Sequence, residues 1–142
     1  MYDKTRHQPN KKEKDMGLDQ YAGLRDENGE VQEAFYWRKH ARLQQFFSKE
    51  FAKQKGESAE NSYNLGFNAG DGGVEITKEL LERLKKEKEC KYYNSFAHDG
   101  FFWGQQWQEQ AVEDYADQDD KFIKWAEKEI EQGNTPYYDC SW

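Results

Sequence analysis

The chain has 142 residues, of which 35% are charged and 16% aromatic, and its formal net charge is −7. This acidic balance excludes non-specific nucleic-acid binding, which needs a basic surface to displace phosphate counterions, and no apolar run approaches the ~20 residues of a membrane span. Five Trp, nine Tyr and nine Phe favour a folded domain over a disordered chain. Two cysteines without a signal sequence favour a cytoplasmic location.

Residues 1–15 differ from the rest of the chain. They hold five Lys or Arg against three acids and, after Met1, a single large apolar side chain, Tyr2. We therefore expect a flexible basic leader over 1–15. A single α+β domain over 16–132 follows it, and an aromatic C-terminal tail over 133–142 packs its rings back on that domain.

The domain is predicted to open with a β-hairpin over 17–37. One arm covers 18–24 and the other covers 31–37. The turn between them contains Asn28 and Gly29, a pair that marks hairpins because both residues tolerate positive φ.

The segment 38–54 is predicted to form a helix, because Leu43, Phe47 and Phe51 recur every four residues. Phe46 lies beside this apolar stripe, and so does His40. No His or Cys follows His40 at the spacing of metal ligands. We therefore expect a core or boundary histidine with one hydrogen-bonded nitrogen.

The middle of the chain alternates short strands with turns. A strand is predicted over 62–68, a glycine-rich turn over 70–73, and a short strand or helix approach over 74–76. Thr77 is a suitable N-cap for a helix that runs to about residue 88. The residues of that helix that should face the core are Leu80, Leu81 and Leu84.

A last helical region is predicted over about 106–131, with a break near 117–120 and a stop at Gly133. The residues that suit its buried stripe are Val112, Tyr115, Phe122, Ala126 and Ile130. Together the elements predict an α+β fold, in which a small antiparallel sheet that includes the N-terminal hairpin packs against about three helices.

Four stretches that follow one another in the chain resemble a group of small phage and prophage proteins: MGLDQY at 16–21, FYWRKHARLQQFF at 35–47, NAGDGGVEITKELLERL at 68–84 and GFFWG at 100–104. Members of that group typically open with Met-Gly-Leu-Asp, carry Tyr-Trp-Arg-Lys before a helix, and have Gly-Phe-Phe-Phe-Gly before a final helix. The resemblance implies an independent α+β fold that begins near Met16 and a phage-type origin. It implies no activity and assigns no catalytic residue.

The glycine-rich turn is one candidate binding site. Backbone N–H groups of Gly72 and Gly73 could hold an anion ahead of a helix, and Arg38 could add a cation. The turn lacks the Gly-Lys-Ser/Thr of a phosphate-binding loop, however. Since glycine also serves tight turns, the structural interpretation is favoured.

His98 and Asp99 form a second candidate, because a carboxylate can orient an imidazole for general-base catalysis. Adjacent residues on an extended chain point in opposite directions, however. Asp99 and the glycine after it are also an ordinary turn pair. A turn is therefore the favoured interpretation.

A row of acidic residues recurs at helical spacing, and a metal could be imagined on it. The row consists of Glu109, Glu113, Asp117 and Asp120. No Glu-x-x-His motif accompanies it, so a solvated acidic face is favoured. Cys90 and Cys140 lie far apart in the sequence, and neither a metal nor a cofactor is predicted.

The most distinctive feature is the aromatic cluster of Phe101, Phe102, Trp103 and Trp107, which belongs to the core or to an interface.

Two hypotheses for function follow. The first is a non-enzymatic interaction protein that binds a host or phage protein through the acidic surface and the aromatic segment 96–107; in one version its carboxylates imitate phosphates. The alternative is a small enzyme or ligand-binding domain with a pocket near the 70–73 turn, Arg38 and His98.

Overall fold

The computed structural model describes residues 18–55, 72–90, 92 and 105–141, with the backbone alone for 105–107. The elements are β1 (Asp19–Leu24), β2 (Phe35–Arg38), α1 (Ala41–Lys55), β3 (Val74–Glu75), α2 (Lys78–Glu89), α3 (Gln105–Asp114), α4 (Ala116–Glu131) and β4 (Pro136–Ser141). One antiparallel sheet contains the four strands, which confirms the predicted α+β class. This part of the chain has four helices, where about three were predicted.

The strand order is β2-β1-β4-β3, so the last strand in sequence occupies a central position in the sheet. The prediction that separated 133–142 from the domain as a tail is therefore corrected. The buried residues of β4 are Pro136, Tyr138 and Cys140, and they alternate with less buried neighbours. This alternation of period two is typical of a strand with one face on the core.

The predicted hairpin forms, and Tyr21 of β1 lies opposite Tyr36 of β2. Its second arm is shorter than predicted, because Val31 makes only an isolated bridge and regular pairing begins at Phe35. In the turn, Gly29 alone has a positive φ, of 81°. The carboxylate of Asp26 closes the turn by accepting the N–H groups of Asn28 and Glu30.

A β-bulge interrupts the hairpin opposite Gly23. Leu24 accepts the backbone N–H of Gln32, and Ala22 pairs with Phe35. The second arm therefore has one residue more than the first between these two pairs. A Cβ atom on Gly23 would lie 1.5 Å from the carbonyl oxygen of Gln32, so the bulge requires glycine at this position.

On both outer strands of the sheet, backbone groups form hydrogen bonds with side chains from outside the sheet. On β2, the Tyr115 hydroxyl lies 2.9 Å from the N–H of Arg38 and 3.3 Å from its C=O. On β3, the side-chain amide of Gln54 bonds both backbone groups of Glu75, at 2.7 and 3.0 Å. These groups are thus closed to the addition of another strand.

Helix α1 lies at the centre of the core, with ten of its fifteen residues buried. The predicted stripe is confirmed, since Leu43, Phe47 and Phe51 are all buried, and the Phe47 ring stacks on Tyr138 with centroids 3.8 Å apart. The helix begins at Ala41, later than predicted, because the chain up to residue 38 belongs to β2.

The prediction for α2 is confirmed in detail. The Oγ1 atom of Thr77 accepts the N–H of Leu80 at 3.1 Å, as an N-cap does. The three leucines predicted to face the core are buried. No helix in the described part of the chain is long and apolar enough to cross a membrane.

The last helical region is divided at Tyr115, slightly before the predicted break. Its apolar stripe is as predicted: Val112, Phe122 and Ala126 are buried, with Tyr115 and Ile130 packed against them. Residues 1–15 and the predicted strand over 62–68 lie outside the part of the chain that the structure describes.

Candidate functional site

Several residues that the sequence singled out lie outside the described ranges. They are His98, Asp99, Phe101, Phe102 and Trp103. Trp107 lies in α3, where the structure describes only its backbone. Their catalytic or interface roles therefore remain predictions.

The structure does not bring Arg38 and the Gly72-Gly73 turn together. Arg38 ends β2 at one edge of the sheet, where its Nε atom lies 3.9 Å from Asp19. The two glycines precede β3 at the opposite edge, with β1 and β4 between. The described geometry therefore gives no support to a pocket shared by Arg38 and this turn.

The Gly72-Gly73 turn has a clear structural role. Both residues have positive φ, of 101° and 70°, which glycine adopts without strain. A Cβ atom on Gly73 would lie 2.8 Å from the carbonyl oxygen of Tyr138, so the chain could not approach β4 as closely with another residue. The carbonyl of Gly72 accepts a hydrogen bond from the Arg25 guanidinium.

A buried polar cluster surrounds Asp119. The Trp37 indole N–H donates to its Oδ1 at 2.7 Å, the Tyr92 hydroxyl donates to its Oδ2 at 2.8 Å, and the His40 Nε2 lies 3.0 Å from Oδ2. Asp119 is 1% exposed and the other three are fully buried. These four residues, the Asp119 cluster, connect β2, the start of α1, the segment after α2, and α4.

The ring of His40 is fixed on several sides. It stacks on Tyr115 with an interplanar angle of 9° and meets the edge of Tyr92 at 83°. Its Nε2 faces Asp119, while its Nδ1 has no hydrogen-bond partner among the described residues. The prediction of a core or boundary histidine with one bonded nitrogen is confirmed, and His40 lies in the core.

An aspartate that orients a histidine is a common arrangement for general-base catalysis, but a general base must reach the proton that it removes. The Asp119 cluster is closed to solvent, so its present geometry supports a structural role. The buried carboxylate charge is compensated by the donors that surround it. No group of three or more His, Cys, Asp or Glu in the described ranges could hold a metal ion.

Asp119 was not among the residues that the sequence singled out. The helical spacing of its neighbours Asp117 and Asp120 assigned them to an acidic face and gave Asp119 no separate role. Asp119 precedes Phe122 by three residues and Ile123 by four, so it lies on the buried stripe of α4. The helical spacing of Asp119 from these apolar residues was the sign in the sequence that its side chain is buried. Tyr92 lies outside any periodic apolar pattern, so the sequence held no comparable sign for it.

A second polar network lies next to the cluster. The Tyr138 hydroxyl accepts from the Gln20 side chain at 2.9 Å and donates to Gln44 at 2.5 Å. Burial raises the pKa of Tyr138 well above its ordinary value. Burial also raises the pKa of Tyr92, and the Asp119 carboxylate adds to this effect.

These pKa shifts predict a loss of stability at alkaline pH. Tyr92 and Tyr138 stay protonated in the folded chain, whereas unfolded tyrosines ionise near pH 10. The stabilisation is therefore complete below pH 10 and is lost as pH rises. Above pH 10, each such tyrosine should lower the free energy of unfolding by about 1.4 kcal/mol for every unit of pH increase.

Urea denaturation between pH 9 and 11, values chosen to bracket the ordinary tyrosine pKa of about 10, measures this slope. The Tyr92→Phe variant should have a smaller slope above pH 10 than the unmodified chain. Equal slopes in the two proteins would contradict the assignment to Tyr92.

The predicted acidic face is confirmed as solvent-exposed: Glu109, Glu113, Asp117 and Asp120 are all exposed. Asp120 pairs with Lys88 at 3.1 Å. Helix α3 itself contains the acids Glu109, Glu113 and Asp114 and no Lys or Arg. We call these three exposed residues the α3 acidic surface.

The fold thus defines an α+β protein whose sheet packs its buried face against helices. Comparison of the chain with protein-family models, with curated proteins and with solved structures found no match.

Proposed function

We propose that this chain is a non-enzymatic interaction protein of phage type, which binds a basic surface on a host or phage protein. The observation that carries the proposal is the α3 acidic surface, where three carboxylates are exposed within ten residues that include no base. Such a surface attracts a partner of opposite charge and excludes partners of like charge.

The contrast with α2 supports the choice of α3. In α2, acids and bases are interleaved, and Lys85 pairs with Glu82 and with Glu127. In α3, Glu109 and Glu113 are exposed, and the helix itself contains no base that could pair with them. Their carboxylates therefore give this helix surface a negative charge.

Two further points favour an interaction protein. The Asp119 cluster, which has the chemistry of a catalytic group, is closed to solvent. In addition, the aromatic segment 96–107, which the sequence predicts as a possible interface, leads into α3 along the chain, and aromatic side chains are enriched at protein interfaces. The phage-type origin and the identity of the partner rest on the sequence resemblance.

Affinity capture from host cells tests the proposal with two variants that each remove three negative charges. The first neutralises α3 and carries Glu109→Gln, Glu113→Gln and Asp114→Asn. The control removes three acids from α2 and carries Glu79→Gln, Glu82→Gln and Glu89→Gln. We expect a partner that the unmodified chain and the α2 variant retain and that the α3 variant binds at least about tenfold more weakly, a loss that corresponds to 1.4 kcal/mol.

Equal retention by the two variants would contradict a role for the α3 acidic surface. Competition by duplex DNA for the captured partner would identify that partner as a nucleic-acid-binding protein. This result would favour the version in which the carboxylates imitate phosphates.

A further inference from the structure

The face of the sheet opposite the core carries three tyrosines. Tyr21 lies opposite Tyr36 on one side and opposite Asp139 on the other, so one row crosses three strands. Tyr137 lies in a neighbouring row, opposite Gly23. Each ring is partly exposed, whereas the residues that alternate with them belong to the core. We call Tyr21, Tyr36 and Tyr137 the tyrosine face.

Carboxylates surround this face. The pKa of Tyr21 is raised to about 12 by burial and by the negative charge of Asp139, with further contributions from the Cys140 thiol and from Glu30 and Glu33. The two glutamates are exposed on the hairpin loop, where residues 26–33 contain four acids and no base. The Tyr21 ring at the centre of the face therefore lies in a negative field.

The tyrosine face already holds one cation of the chain itself. The Arg25 guanidinium carbon lies 3.7 Å from the centroid of the Tyr137 ring. A guanidinium over a tyrosine ring is a cation–π contact, which is strengthened when the surroundings are negative. This contact shows that a guanidinium group fits against a ring of the tyrosine face.

We infer that the tyrosine face binds an extended, arginine- or lysine-rich segment of the protein partner, an inference that rests on the proposed function. An extended segment that lies across the strands directs alternate side chains to the sheet at intervals of about 6.6 Å. The row of Tyr36, Tyr21 and Asp139 spans two strand spacings, about 10 Å, so two successive cations fit along it. Its cations would meet the rings of Tyr21 and Tyr36 and the carboxylate of Asp139.

Other modes of binding fit less well. Addition of a strand at the sheet edges is opposed because Tyr115 and Gln54 occupy the backbone groups of Arg38 and Glu75. A nucleic acid would bring its phosphates against Asp139 and the hairpin-loop acids. A cationic peptide lying across the strands meets neither obstacle.

The test uses the full chain and an eight-residue peptide in which the Arg-Ser pair is repeated four times. A peptide with citrulline in place of each Arg is the neutral control. Fluorescence anisotropy measures the Kd, and backbone amide shifts locate the peptide. We expect the citrulline peptide to bind at least about tenfold more weakly, since a cation–π contact and a charge pair are both lost. The largest shifts should fall in β1 and β4.

Two variants of the tyrosine face and one control variant locate the peptide contact. Tyr21→Thr removes the central ring and retains a residue that favours strands. Asp139→Asn removes the charge and can still accept the backbone N–H of Cys140, as the carboxylate does at 2.9 Å. Circular dichroism confirms that each variant is folded. We expect each to weaken binding of the Arg peptide about three- to thirtyfold, whereas the α2 variant described above should bind it as tightly as the unmodified chain.

The outcomes separate this inference from the proposed function. If the α3 variant loses the peptide while both face variants bind normally, the inference is overturned and the proposed function stands. Unchanged binding of the citrulline peptide, or binding of a single-stranded oligonucleotide as tightly as the Arg peptide, would also overturn it. Loss of the peptide in the face variants supports the inference even if cell capture finds no partner.

Discussion

Replacement of Asp119 by alanine is expected to lower the free energy of unfolding by about 4 kcal/mol, because removal of one partner from a buried charged group leaves the others without compensation. Trp37 and Tyr92 would each keep a buried donor without its acceptor, and His40 would lose the group that orients its ring. Urea denaturation at neutral pH, followed by circular dichroism, measures the change.

The neighbouring Asp120→Asn variant is the control, because it changes the same helix by one charge at an exposed position. Its ion pair with Lys88 is a surface contact, so we expect a change below about 1 kcal/mol. If Asp119→Ala and Asp120→Asn have similar stabilities, the Asp119 cluster does not hold the four elements together as inferred.

Replacement of Gly23 by alanine is expected to cost about 3 kcal/mol or more. The new methyl group would overlap the carbonyl oxygen of Gln32, and the obstacle is backbone that cannot rotate away. The hairpin must then open at its bulge or displace β2, which carries Trp37. Thermal and urea unfolding of the variant measure the loss.

Gly29→Ala separates this steric effect from the general cost of losing a glycine. Gly29 has a positive φ but no atom within 4 Å of the position of a Cβ, so only the conformational cost of about 1–2 kcal/mol applies. A Gly23→Ala variant that is as stable as Gly29→Ala would show that the overlap with the Gln32 carbonyl adds no steric cost of its own.

Features that depend on close neighbours in the sequence could be predicted. The N-cap at Thr77 needs a hydroxyl three residues before the N–H of Leu80, and this spacing is visible in the sequence. The same holds for the buried stripe of α1 and for the hairpin around Gly29. In each case the interaction that decides the structure spans only a few residues.

Features that depend on distant residues could not be predicted. The sequence draws attention to His98 and Asp99 because they are adjacent, yet the His-Asp pair that the structure describes joins His40 to Asp119, 79 residues apart. Likewise, Tyr92 meets Asp119 only because α2 and α4 pack together. Local patterns assign residues to a buried face, but not to the partner that they meet there.

The central position of β4 also determines how the chain must fold. Gln20 and Tyr138, which meet across β1 and β4, are separated by 118 residues, and closure of a loop of this length costs on the order of 4 kcal/mol in entropy. Helices and the β1–β2 hairpin can form earlier, so we expect the sheet to be completed late and slowly. Until then, one edge of β1 is unpaired, and the hazard of self-association belongs to the folding chain.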